Sequence, residues 1–134
     1  MRVYLDVSCL NRPFDDQSQA RVRLETEAVR QILKQCNRGA WEHVSSEIAV
    51  IEISEMPDSD RRAGVQMYLP EERAILKLTQ PVAERAVLLE QLGIKRADAL
   101  HVAAAEILEA DVLLSGVVRV RHDVAAVTVM LSSE

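Results

Sequence analysis

The strongest constraint on this chain is its opening, MRVYLDVS, where an apolar run meets an acid with no turn between them. Val3, Tyr4 and Leu5 are strand-forming side chains in unbroken succession. A continuous apolar run, rather than an alternating one, marks a strand covered on both faces, as in a parallel α/β sheet. Asp6 follows at once, then Val7 and Ser8. A carboxylate adds nothing to packing at such a strand's end. In open α/β sheets the carboxyl ends of the strands face the crevice where ligands bind. Asp6 is therefore the first candidate functional group. The structural alternative is an acid that merely ends the strand and caps the next turn.

Composition narrows the class. The 134 residues suffice for one domain with a substantial core, and residues 1–134 read as a single domain. Hydrophobic residues make up 49% of the chain but aromatics only 3%, so the core must be built from Leu, Ile, Val and Ala. That suits helices packed on a sheet better than a sandwich of short strands. The net charge of −5 argues against a protein that coats nucleic acid through its overall field, while leaving room for a local basic rim. Cys9 and Cys36 show neither metal-ligand spacing nor a disulfide framework, which fits a reducing, cytoplasmic setting. Asp6 interrupts the opening run, so no signal-peptide pattern is expected. No stretch approaches the roughly 20 apolar residues of a membrane helix.

Taken in order, the chain alternates strands and helices. Loop and cap residues fill CLNRPFDDQSQ, and a helix is expected over residues 18–38, striped by Val22, Val29, Ile32, Leu33 and Cys36 and stopped by Gly39. A short strand is expected over 41–44. Ser45 or Ser46 then caps a helix over 47–55, and Asp58 or Ser59 opens another through 69. A third strand follows over 74–78. Thr79 caps the next helix, with Pro81 tolerated in its first turn, and Gly93 follows its last turn. An Ala-rich helix is expected over 96–109, with Asp98 in its first turn where the helix dipole favours a negative charge. Residues 112–114 form the fourth strand. The tail is read only as a final strand over 125–131. This alternation implies a mostly parallel sheet with helices on both faces.

Three acids stand at strand ends, caps or core-facing positions: Asp6, Glu52 and Asp98. Clustered carboxylates repel unless a cation lies between them, and hard ions such as Mg²⁺ or Mn²⁺ take oxygen ligands. Such an ion can activate water and neutralise phosphodiester charge, so the set points to metal-assisted phosphodiester hydrolysis. Bland readings stand beside it. Glu47 and Glu55 compete for the role of Glu52, and Asp98 also suits a simple first-turn acid. Arg12, Lys95, Arg96, Arg119 and Arg121 are candidates for phosphate contacts, with surface solvation as the alternative. Arg61 and Arg62 read as a solvated helix face. His101, one turn after Asp98, reads as a core residue or a supporter of the site. No nucleophilic triad or Gly-rich phosphate loop is present.

The segments YLDVSCLNRPFDD, SSEIAVIEIS and above all RADALHVAAAEILEADVLLS resemble a PIN domain of the VapC-type toxins of bacterial toxin–antitoxin pairs. The resemblance spans nearly the whole chain. It implies a three-layer α/β/α fold with a mostly parallel sheet of about four or five strands. It implies Mg²⁺- or Mn²⁺-dependent endoribonuclease cleavage of single-stranded RNA, a small antitoxin partner and a homodimer. It assigns Asp6, Glu52 and Asp98 to catalysis and metal binding, and Ser8, beside Asp6, Arg12 and Ser115, the hydroxyl residue after the fourth strand, to substrate binding. The chain departs from the pattern after the fourth strand, where the family carries a further acid and this sequence has Val117 and Val118. Asp123 is the nearest replacement, and the helix before the last strand looks shortened. A PIN-like binding module without turnover is therefore the second expectation. Phosphatases of the haloacid-dehalogenase type want D-x-D where Asp6 to Ser8 give D-x-S. Receiver domains want an Asp ending the third strand, where this chain has Leu78 and Thr79.

Overall fold

The opening run becomes β1 (Arg2–Leu5), an interior strand of the sheet. Its side chains alternate as a strand requires. Val3 and Leu5 enter one core and Tyr4 enters the other. The computed structural model describes residues 1–115, 118–123 and 126–131. Within these, β2 (Glu42–Ser46) and β4 (Val112–Leu114) flank β1 in parallel, and β3 (Ile75–Leu76) adds in parallel outside β2. The strand order is β3-β2-β1-β4-β5-β6. The chain thus builds outward from β1 to β3, then returns to add β4 on the other side of β1. That reversal makes the carboxyl ends of β1 and β4 a topological switch point, the place where open α/β sheets bind ligands.

Helices cover both faces. On one, α5 (Gln80–Gln91) and α6 (Arg96–Ile107) bring Val82, Ala86, Leu89, Ala99 and Val102 against Tyr4, Val44 and Leu113. The alanines of α6 let its backbone approach the sheet closely. On the other, α1 (Val7–Asn11), α2 (Ala20–Asn37) and α4 (Ser59–Gln66) bring Leu10, Val29 and Val65 against Val3 and Leu5. Between them α3 (Glu47–Ser54) lends Ile48 to the first core and Ile53 to the second. The result is the expected three-layer α/β/α arrangement.

Several expectations need correction. Residues 7–11 form α1 at once after β1, because the Asp6 side chain accepts from the Cys9 N–H and nucleates a helical turn. The third strand shrinks to two residues, since Glu72–Ala74 takes a 3-10 turn and the Leu78 N–H bonds the Glu47 carboxylate at 2.6 Å. Where a shortened helix was expected, β5 (Val118–Asp123) runs antiparallel to β4 and pairs with β6 (Ala126–Leu131). VRVR, at the start of β5, alternates apolar and polar residues, the period of a strand. The sheet therefore has six strands, four of them parallel.

Arg61 and Arg62 do not form a solvated face. Arg61 donates to Asp15 at 2.8 Å and to Asn11 at 3.2 Å, and Arg62 donates to the Met56 carbonyl at 2.7 Å. Arg61 thereby clamps α4 onto the turn that follows α1. Phe14 wedges in beside it, edge-on to Tyr68 and so close to Gly64 that a Cβ there would lie 2.6 Å from the ring. Among the described residues no helix is long and apolar enough to cross a membrane.

Candidate functional site

Asp6 sits where β1 ends, and its backbone N–H extends the ladder to the Leu114 carbonyl at 3.1 Å. It is 7% exposed. The Ser8 hydroxyl donates to Oδ1 at 2.5 Å and the Cys9 N–H at 3.2 Å, and the Ser115 hydroxyl also bonds this carboxylate. Burial raises the Asp6 carboxyl above its ordinary value; Ser8, the nearby His101 ring, Cys9 and Ser115 act the other way. Ser8 thus stands beside Asp6, as expected.

Glu52 and Asp98 lie on different helices, α3 and α6. Glu52 lies on α3 with its side chain 38% exposed, and its Oε1 is hydrogen-bonded to His101 Nε2. Its rivals are committed elsewhere: Glu47 holds Leu78, and Glu55 is the exposed C-terminal cap of α3. Asp98 is half-buried in the first turn of α6, three residues before His101 and so on the same helix face. Among the described residues Asp98 makes no hydrogen bond or ion pair.

Behind these acids runs a buried polar chain that sequence reasoning missed. Tyr4 Oη lies 2.6 Å from Ser46 Oγ and 2.7 Å from His101 Nδ1. Burial drives the Tyr4 hydroxyl well above the usual tyrosine range, with Asp6 and Glu52 adding negative charge nearby. Tyr4, His101, Asp6 and Glu52 therefore feel one another across the end of β1. A signal was present in the sequence: a Tyr inside a buried strand and a His on an Ala-rich helix both need partners. Ser46 read only as a helix cap, but its hydroxyl bonds Tyr4 instead.

The remaining candidates scatter. Arg12 is half-buried in ion pairs with Asp15, at 3.0 Å, and with Glu25. Arg96 pairs with Glu90 at 3.3 Å and is largely exposed beside the exposed Lys95. Arg119 and Arg121 belong to β5, opposite Leu114 and Val112. Asp123 continues past Val112, four residues or roughly 13 Å beyond the level of Leu114. The strand carries it toward the other end of the sheet, away from Asp6. Val117 lies outside the described residues, and Val118 opens β5. A hollow of about 710 Å³ lies elsewhere, lined by Leu33, Trp41, His43, Tyr68 and Ala74 and by none of the candidate acids. His43 there is pushed down to about 4 by burial, and its Nε2 has no partner among the described residues.

The donor chemistry suits a hard ion. Mg²⁺ keeps several waters and is held by one or two carboxylates, which Asp6 and Asp98 offer. A cage of three is not assembled: among the described residues no three His, Cys, Asp or Glu side chains lie close enough to hold a metal. Glu52 is turned onto His101.

No family model and no curated protein matches the chain in sequence. Solved structures match it in three dimensions. A toxin–antitoxin complex from Klebsiella pneumoniae has a TM-score of 0.57 at 21% identity, covering 84% of each chain. FitAcB from Neisseria gonorrhoeae has 0.50 at 19%, covering 81% of this chain and 83% of that one. VapBC2 from Rickettsia felis, bound to a DNA fragment from their promoter, has 0.52 at 16%, covering 86% of each. The chain has a PIN-like fold of the VapC type. In this PIN-like fold Asp6 occupies the first-strand position, and β5 stands where the shortened helix was expected.

Proposed function

We propose that this chain is a metal-dependent endoribonuclease acting on single-stranded RNA, and the toxin of a toxin–antitoxin pair. One observation carries the reading. Asp6 is a buried carboxylate at the switch-point crevice, held by neutral donors and charge-paired with no Lys or Arg among the described residues. A buried charge without compensation is costly, and structures keep one where function needs it. A bound Mg²⁺ or Mn²⁺ would supply activated water and neutralise charge on the phosphodiester. Asp6 and Asp98 are the residues that would hold it.

The chain's own residues do the rest. Ser8 and Ser115 keep the Asp6 carboxylate oriented. Glu52 keeps Oε2 beyond its bond to His101 and accepts a proton at the crevice. Lys95, at the start of α6, offers positive charge for RNA phosphates, and Arg96 and Arg12 contribute more weakly because ion pairs occupy them. The proposed partners are a small antitoxin and a second copy of the chain, and the proposed setting is the cytoplasm.

Purified protein is expected to cut single-stranded RNA with added Mg²⁺ or Mn²⁺, and Asp6→Asn to lose this. Equal RNA decay by both proteins would overturn the reading.

A second reading, a PIN-like binding module without turnover, is favoured by Val117 and Val118 in the fourth acid's place and by the course of β5. Calorimetric titration with Mn²⁺ separates the two. Saturable binding abolished by Asp98→Ala supports the enzyme, and no binding at millimolar ion supports the module.

A further inference from the structure

We propose that the buried pair of Tyr4 and His101 positions the Glu52 carboxylate for RNA cleavage. The inference rests on assigning Glu52 to a nuclease centre. His101 cannot itself meet RNA: its side chain is 5% exposed and both ring nitrogens are engaged. It can act only through what it holds.

With Glu52 ionised and His101 neutral, the hydrogen bonds have one self-consistent direction. A carboxylate only accepts, so Nε2 of His101 carries the proton given to Glu52. Nδ1 is then an acceptor and takes the Tyr4 hydroxyl proton across 2.7 Å. Tyr4 Oη in turn accepts from Ser46 Oγ across 2.6 Å. Donation runs from Ser46 through Tyr4 and His101 to Glu52, with every bond made. The edge-to-face packing of the two rings, 5.6 Å apart at 71°, fixes the imidazole plane.

The anchor is rigid. Tyr4 and Ser46 are fully buried, one within β1 and the other where β2 passes into α3. Ser46 and Glu52 flank the same helix turns, so the chain closes a loop from α3 through β1 and α6 and back to α3. A half-exposed Glu on a helix otherwise samples several rotamers in water, and ordering it costs conformational entropy. Pre-ordering removes that cost from the reaction. Because Asp98 shares a helix face with His101, the same anchor sets Glu52 relative to Asp98.

Two measurements test this. The first is ¹⁵N spectroscopy of the His101 ring without RNA or metal. Wild type is expected to show the Nε2–H tautomer, and Tyr4→Phe to shift the Nδ1 resonance and admit the other tautomer. An Nδ1–H tautomer in wild type, or an Nδ1 resonance indifferent to Tyr4→Phe, overturns the positioning. The second compares His101→Leu with His101→Gln, which keeps a donor for Glu52. His101→Leu is expected to lower kcat by about 10–100-fold, the usual effect of removing a partner of a site ligand, with KM little changed. His101→Gln is expected to restore most of kcat while being no more stable to heat than His101→Leu. Losses that follow stability alone in both variants would make His101 a core residue only. A wild-type protein that cuts no RNA overturns the nuclease reading and the catalytic part of the proposal, while the ring spectra still decide whether Glu52 is held.

Discussion

At Asp6, burial and hydrogen bonding pull the carboxyl in opposite directions, and burial prevails. The folded protein therefore binds this proton more tightly than the unfolded chain does. Below the ordinary carboxylate value Asp6 is neutral in both states and costs nothing. As pH rises from that value through the raised folded value, the folded state takes on a poorly solvated charge and stability falls. Asp6→Asn keeps a good N-cap acceptor for Cys9 and removes the charge. Thermal melts should show Asp6→Asn with a higher Tm than wild type at pH 7 and a matching Tm at pH 3. A Tm below wild type at pH 7 would contradict the account. Added Mn²⁺ should raise the wild-type Tm, by binding the folded state alone, and leave Asp6→Asn nearly unmoved.

Among the elements, β1, β4 and α6 were legible because each announces itself locally. The first two are unbroken apolar runs, and the third is an Ala-rich run opened by an acid. The chain from Ser46 through Tyr4 and His101 to Glu52 was not legible, since its members lie up to 97 residues apart and hydrogen bonds of that range leave no period in a sequence. The same holds for Arg61, whose partners lie 46 and 50 residues away. The strand β5 was missed for a different reason: its six residues carry alternation too brief to stand out against an expected helix. The contact of Phe14 with Gly64 gives α4 its own test. In a free helix Gly→Ala stabilises by about 1 kcal/mol. Here the added Cβ strikes a ring already packed on Tyr68, and such overpacking costs about 1–3 kcal/mol. Gly64→Ala should therefore destabilise in urea melts, and Phe14→Leu should cancel the penalty in the double variant. A stabilised Gly64→Ala would show that the ring moves aside freely.

Across the whole molecule, the strand order places Asp6 at the topological switch point between β1 and β4. Reversal at β1 and β4 opens the sheet at Asp6, and α3 and α6 converge there because each enters from that end. The fold matches the toxin–antitoxin structures at 16–21% identity. The register of β5 places Asp123 roughly 13 Å past the level of Leu114, toward the far end of the sheet. The proposed function has Asp6 and Asp98 hold the ion together. The direct test is a double-mutant cycle on Mn²⁺-dependent RNA cleavage with Asp6→Asn, Asp98→Asn and both. Residues acting as one unit are non-additive, so each single variant should lose about as much kcat/KM as the pair. Losses that multiply, or an Asp98→Asn protein that cuts as wild type does, would contradict the account.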